Sequence, residues 1–375
     1  MFPLLRAEFG VTDPQLGSIG AFFLWAYAAA SPVAGALADR WSRSRMVVFS
    51  LAAWSLVTLL TGFARSLDEI LLTRVLFGIA EAAYLPSAIA LIADYHGSET
   101  RATAIAIHTA GLTAGLIAGG TGAGYLGEHY GWRTGLLVLG ALGLMLAVAA
   151  HRLLRDRTAP DVREAPPILE SLRALVSRPS CLIIMAEAML VSIGTWIFLN
   201  WLPLYFQETF HLSLAQAGFA GTFLLQGAGV IGLLVGGWFS DRVAGRQQRR
   251  RMLIQAVCLL IASPFLLVFL SAPSLFALNV CILLFSFFNR AANNNETPLL
   301  CDLLPPRLRS TALGLFNAFN TFAGGIGVWV AGSLKATAGL AGVFGGISGI
   351  MLMAAMLAAI GYAFFLQKDL DRRAA

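Results

Sequence analysis

A chain of 375 residues that is 58% hydrophobic, only 12% charged and of mean hydropathy +0.74 is not a soluble globular protein, in which about a quarter of the residues carry charge. The net charge of +6 does not mark a nucleic-acid partner, because the arginines are scattered between apolar runs. Four cysteines without paired spacing (Cys181, Cys258, Cys281, Cys301) give neither a metal set nor a disulfide framework, and 38 glycines among the apolar residues suit helices packed closely in a bilayer.

Eleven apolar runs follow in chain order, near residues 17–37, 46–64, 69–91, 102–124, 133–151, 180–206, 214–240, 251–271, 274–299, 310–334 and 341–366. Each approaches the roughly 20 residues that cross a bilayer core. The opening residues, MFPLLRAEFG, lack the basic segment and long apolar core of a cleavable signal. With the loop after the first run in the cytoplasm, cytoplasmic segments hold 20 of the 26 Lys and Arg, external segments hold four (Arg6, Arg65, Arg133, Lys335), and Arg74 and Arg290 are intramembrane. That bias predicts a multi-pass protein of the inner (cytoplasmic) membrane with a cytoplasmic C-terminus. The expected domains are an N-terminal helical bundle at 1–151, a cytoplasmic central loop at 152–179 and a C-terminal helical bundle at 180–375. Within the loop, ILESLRALVS has helical spacing of apolar residues and is expected to lie along the membrane surface.

The two sides of that loop repeat each other. GALADR (Gly35 to Arg40) returns as GWFSDR (Gly237 to Arg242) about 202 residues later, and DYHGSETRATA (Asp94, Arg101) as DLLPPRLRSTA (Asp302, Arg309) about 208 later. PLLRAEFGVTDPQLG, from Pro3, returns as PLYFQETFHLSLAQAG, from Pro203. These matches predict two parallel repeats. Because Pro203 closes the sixth run on its outer side, Pro3 is expected to close a helix that begins about 22 residues before Met1. The expectation is therefore an all-α polytopic membrane protein of two six-helix bundles in pseudo-twofold repeat, with eleven helices present. A natural eleven-helix chain is the alternative.

With that helix restored, the six-plus-six pattern and the duplicated Gly-x-x-x-Asp-Arg turn resemble the major facilitator superfamily, across essentially the whole chain. GALADRWSRSR is similar to that superfamily's signature between helices 2 and 3, with Gly35, Asp39, Arg40, Arg43 and Arg45 on matching positions and Ser42 where the family usually has Gly. The motifs read as a cytoplasmic gate. Asp39 can meet the positive end of a neighbouring helix, and the arginines can pair with Asp94 and Asp302. The gate set is Gly35, Asp39, Arg40, Arg43, Asp94 and Arg101, with Gly237, Asp241, Arg242, Asp302 and Arg309 in the second half. Within the superfamily, RVLFGIAEAAYLPSAIALIADY resembles the anion:cation symporter and spinster-like branches. The resemblance implies proton coupling and anion binding at Arg74 and Glu81, and a further functional charge on a helix 1 that would precede Met1.

An ionisable side chain at the centre of a membrane helix costs roughly 2.5–3.5 kcal/mol on insertion scales and is a functional hypothesis by default. Arg74 and Glu81 are seven residues apart. On a helix that is within ~20° of one face and ~10 Å along the axis, too far for a tight ion pair but close enough to share a cavity. Arg74 offers a permanently charged, forked donor for an anion. Burial disfavours the charged form of a carboxylate while a nearby arginine favours it, which suits Glu81 to taking and releasing a proton. In the ninth run, FFNRAANNNETPLL puts Asn289, Asn293 and Glu296 on one face with Arg290 beside them, and the 208-residue offset sets Asn289 opposite Glu81. His108, Asn200, Trp196 and Tyr27 are further candidates for cavity lining. Glu187 reads as a cytoplasmic-end pairing residue. GLTAGLIAGGTGAG has small residues at helical spacing, so it reads as close helix packing and not as a nucleotide loop.

The leading expectation is a proton-coupled secondary transporter of a small organic anion, a sugar acid or other carboxylate, working by alternating access. Arg74 and Arg290 bind the anion and Glu81 carries the proton. The alternatives are a spinster-like carrier of lysolipids or other amphiphiles, a drug efflux transporter, or a transporter-like sensor that binds without carrying. A membrane enzyme is disfavoured by the lack of a catalytic constellation. The expected partners are a small-molecule substrate, protons and the lipid bilayer, with no nucleic acid, cofactor or metal, and the expected state is a monomer.

Overall fold

The computed structural model describes residues 1–97, 99–156, 168–245 and 247–374, and does not describe the side chains of 36, 38–40, 102 and 372–374. The described chain is helical with no strand. Its first half comprises α1 (Phe2–Phe9), α2 (Asp13–Arg40), α3 (Arg43–Thr61), α4 (Leu67–Glu81), α5 (Tyr84–Tyr95), α6 (Arg101–Tyr130) and α7 (Trp132–Leu153). A short α8 (Ile168–Val176) leads to the second half: α9 (Pro179–Phe210), α10 (Leu214–Ala244), α11 (Arg250–Ala262), α12 (Leu275–Asn293), α13 (Glu296–Leu303), α14 (Arg309–Ile360) and α15 (Leu366–Ala374). Among the described residues, ten helical stretches are long and apolar enough to cross a membrane. The last of them, Pro306–Asp371, is broken at Gly339, where φ 64° and ψ 170° interrupt α14, so the eleven apolar runs are all present as helix.

The repeat extends to the helix ends. Gly10 closes α1 at φ 62°, and His211 follows α9 at φ 53°. Two residues on, Thr12 N donates to Gln15 Oε1 at 2.8 Å before α2, and Ser213 N donates to Gln216 Oε1 at 3.1 Å before α10, the same capping device in each half. Ser66 accepts from Glu69 N at the start of α4, and Ser274 from Ala277 N at the start of α12. Gly131, between α6 and α7, and Gly339 share a positive-φ extended conformation that L-residues rarely adopt. One sequence expectation shifts: α9 runs through Pro203 to Phe210 instead of closing there.

By contacts the chain divides into two units, Met1–Ala165 with Phe206–Phe219, and Pro166–Tyr205 with Ala220–Ala375. The turn between α9 and α10, which the sequence assigns to the second bundle, therefore groups with the first unit. There Leu214 N donates to Glu128 Oε2 at 3.1 Å and Arg6 reaches Glu208 at 3.5 Å. In the first unit α2 packs on α4, and α3 on α7 and α4. The core of the second unit gathers Ile184, Ala188, Met252, Leu299, Leu303 and Phe316.

The amphipathic segment of the central loop is the helix α8, and one of its faces packs against the second unit. Ser171 and Leu175 are buried, Leu175 joins the core of the second unit, and Glu170 pairs with Arg307. Periodicity gives a helix an apolar face; here α14 and the turn at Pro306–Leu308 pack against α8, leaving Ile168 and Leu169 exposed. The remainder of the expected loop, 157–167, lies outside the described residues.

Where α7 ends, Asp156 caps the start of α3. Its carboxylate accepts from Ser44 N at 2.8 Å and from the Ser42 hydroxyl. Burial pushes the Asp156 carboxyl up, but the hydrogen bonds from Ser42 and Ser44, with Arg45 nearby, outweigh it and hold the group below its ordinary value. A carboxyl held low in the fold stabilises it above the unfolded value and loses that contribution as pH falls. Asp156→Asn is therefore expected to lower the melting temperature at neutral pH, by an amount that shrinks only as pH falls below the ordinary carboxylate range, about pH 4. Parallel melting curves over the whole pH range would refute this.

Candidate functional site

Helix α4 carries two charges deep in its span, Arg74 and Glu81. Arg74 Nη2 donates to Thr61 Oγ1 of α3 at 3.4 Å, and its Cζ lies 5.1 Å from the Phe77 ring centre. Nε of the same guanidinium is buried without a partner. Among the described residues no ion pair joins Arg74 to Glu81, although each lies within electrostatic range of the other. One neutral hydroxyl for a side chain with five N–H donors leaves most of its binding capacity open.

Glu81 is brought to its neighbours by a glycine. A methyl on Gly78 would sit 2.5 Å from Phe23 O and 2.8 Å from Tyr27 N, so only glycine lets α4 press this closely on α2. That contact sets Tyr27 against Ala82 and Ala83 and within electrostatic range of Glu81. On the next turn Tyr84 packs on Trp54 at 4.9 Å and on His108 of α6 at 5.9 Å, and His108 Nε2 is buried without a partner. The first unit thus sets Tyr27 beside Glu81 and His108 beside Tyr84, with Arg74 two turns away from Glu81 along α4.

The third apolar run is not one helix. Pro86 has no N–H for the carbonyl of Ala82 and its ring crowds that oxygen, so α4 ends on Glu81 and α5 starts at Tyr84. Pro298 acts in the same way on Asn294, and α12 ends on Asn293 before α13 starts at Glu296. Aligned on these breaks, Glu81 corresponds to Asn293, one turn beyond the Asn289 that the sequence offset selects. In the second break the Asn295 amide donates to the carbonyls of Ala291 and Ala292 at 3.2 Å each, and its oxygen accepts from Ser240.

In the second unit Arg290 repeats the pattern of Arg74. Its Nη2 donates to Gln226 Oε1 at 3.4 Å, a neutral partner, while Glu296 lies within electrostatic range. Asn289, Arg290, Gln226, Ser286 and Thr195 line a cavity of about 20 Å³, room for roughly one water. The side-chain oxygens of Asn289 and Asn293 have no partner. Trp196 packs on Gly324 of α14, and the Asn200 amide donates to Trp196 O at 2.9 Å. Neither lines that cavity.

The cytoplasmic motifs resolve into local contacts. Arg43 pairs with Asp94 inside the first unit, and Asp241 with Arg251 at 2.6 Å inside the second. Arg101 donates to the carbonyls of Ala93 and His96 at 3.3 Å each, and Arg309 to that of Leu304 at 3.3 Å. The repeated Asp-to-Arg spacing thus places a guanidinium on the last carbonyls of α5 and of α13, where a helix end leaves acceptors without partners. Arg242 stacks on Trp238 at 5.5 Å, and Gly237 faces the Asn294 amide. Gly35 has open space around it, and Asp302 makes contacts of its own. Asp39 and Arg40 lie outside the described side chains. Thr61, Tyr84, Gln226 and Gln255 are site neighbours that the sequence reading passed over. The two glutamines were legible, each being a lone polar residue inside an apolar run.

Comparison with known proteins fits this architecture. The family model of the Major Facilitator Superfamily matches residues 1–328 and 188–373. An MFS-type efflux pump of Mycolicibacterium smegmatis is 27% identical, over 88% of this chain and 78% of its own. A D-galactonate transporter of Escherichia coli is 24% identical, over 86% and 80%. In three dimensions the chain is similar to a bacterial homologue of the human lysosomal transporter Spinster in its inward-facing, unoccupied conformation. The TM-score is 0.77 at 21% identity, over 98% of this chain and 91% of that one. A match of this extent, on a chain whose helix ends repeat between its halves, makes this chain a member of the major facilitator superfamily and a multi-pass membrane transporter, not an enzyme.

Proposed function

We propose that this transporter moves a small organic anion, a sugar acid or similar carboxylate, together with a proton by alternating access. The observation that carries this reading is the state of Arg74: a guanidinium inside a membrane span with a neutral hydroxyl as partner, an unpartnered Nε, and no carboxylate paired to it among the described residues. Charge balance supplies the coupling. Arg74 and Glu81 together are neutral when both are ionised. A bound carboxylate leaves the set one negative charge in excess, which is costly away from water. A proton on Glu81 restores neutrality, so anion and proton bind together and leave together. Arg290, in the other unit, is a second guanidinium of the same kind. The Arg43–Asp94 and Asp241–Arg251 pairs are the contacts that would remake as access alternates.

The E. coli relative named for D-galactonate favours the sugar acid. The relative named as an efflux pump favours export of an amphiphile, a reading in which Arg74 has no anion to bind. Counterflow in proteoliposomes separates the two. Preloaded monocarboxylic sugar acids are expected to drive exchange, and neutral sugars of the same size are not. Exchange driven by neutral or cationic amphiphiles, with none by any carboxylate, would overturn the proposal.

A further inference from the structure

A second set of buried charges lies in the second unit, away from Arg74 and Glu81. Glu187 of α9 and Glu296 of α13 are 1% and 9% exposed and within electrostatic range of each other. The Gln255 amide of α11, itself fully buried, donates to Glu187 Oε2. The other oxygens of that contact, Glu187 Oε1 and Gln255 Oε1, have no partner. Arg290 is the cation in electrostatic range of Glu296.

From this arrangement we infer that Glu187 and Glu296 form a proton-binding site of their own, holding one proton between them at neutral pH. Two ionised carboxylates against one guanidinium would leave a net negative charge in a core of Ile184, Ala188, Leu299 and Leu300, where an uncompensated charge is not tolerated. One proton makes the set neutral. It also supplies the O–H donor that the two orphaned oxygens lack, since a carboxylate and an amide oxygen are both acceptors. The proton belongs to the pair and not to either residue alone.

Among the described residues, no cation other than Arg290 is in electrostatic range of either glutamate. Helix α14 carries no titratable side chain between Arg309 and Lys335. Helix α11 presents the neutral Gln255. On α13 the next acid, Asp302, lies six residues beyond Glu296. On α15 Asp369 accepts from Ser180 N at 3.0 Å, seven residues before Glu187, while Lys368 is exposed. Tyr362 packs against the same core under Arg249. Sodium could also be held by two carboxylates and an amide oxygen, so the test includes it.

Infrared spectroscopy on the reconstituted full chain decides the matter through the C=O stretch of a protonated carboxylic acid, identified by its shift in D2O. The Glu81→Gln variant removes any contribution from Glu81, so the result is independent of the anion-transport proposal. In that background at neutral pH the band is expected to be present. It is expected to vanish when Glu187→Gln is added, because Glu296 and Arg290 then balance each other. Glutamine is nearly isosteric with the neutral acid, so the double variant should melt no lower than its parent. Absence of the band from folded Glu81→Gln protein, its persistence after Glu187→Gln, or its loss on adding NaCl at constant pH would each overturn the inference.

Discussion

Replacing Arg74 with glutamine is expected to weaken carboxylate binding by about 2–5 kcal/mol, the cost of removing one member of a buried charged contact, or roughly thirty- to a few thousand-fold in Kd. Lysine keeps the charge but offers a point donor in place of the planar fork, so Arg74→Lys should fall between the two. The fold should survive both changes. Among the described residues Arg74 gives one hydrogen bond, to Thr61 Oγ1 at 3.4 Å, and that hydroxyl also donates to Val57 O at 2.7 Å. Isothermal titration with a sugar acid, alongside melting curves, separates lost binding from lost folding. Unchanged affinity in Arg74→Lys and Arg74→Gln would remove the anion site from α4.

The second large effect belongs to Glu81. Glutamine there is a permanently neutral mimic of the protonated acid. Exchange of bound anion across the membrane should continue, because the loaded carrier is already neutral. Net accumulation driven by a pH gradient should fail, because the empty carrier now keeps an unbalanced Arg74. Membrane potential supplies a second readout. With Glu81 in place, uptake of a monovalent carboxylate with one proton moves no net charge and should not respond to voltage. In Glu81→Gln any residual uptake carries charge and should feel about 2.3 kcal/mol per 100 mV. Accumulation against a gradient by Glu81→Gln at the wild-type level would defeat the proton assignment.

The spans, the repeat and the two intramembrane charges of α4, Arg74 and Glu81, are all legible in the sequence, because each depends on residues close together in the chain or on matched segments. What the sequence reading missed has identifiable physical causes. The break after Glu81 was written in Pro86, whose effect on the carbonyl four residues earlier is local; the same residue in the second half, Pro298, fixes the alignment that sets Glu81 against Asn293. The covered face of α8 was not legible, since its partners, α14 and the turn before it, lie more than a hundred residues further on. Arg101 and Arg309 recur at a spacing that is legible, but that they cap the carbonyls at the ends of α5 and α13 is not. Glu187 is paired, but its partner is the neutral Gln255, 68 residues away in the chain, and the pair is buried.

The central claim is that one proton accompanies each carboxylate through Glu81, and recording both fluxes at once tests it most directly. Proteoliposomes would be given a labelled monocarboxylic sugar acid while the external pH is followed with no imposed gradient. The wild type should take up one proton for each anion, and Glu81→Gln should show anion exchange with no proton movement. Uptake of the anion by the wild type without any change in external pH would contradict the account.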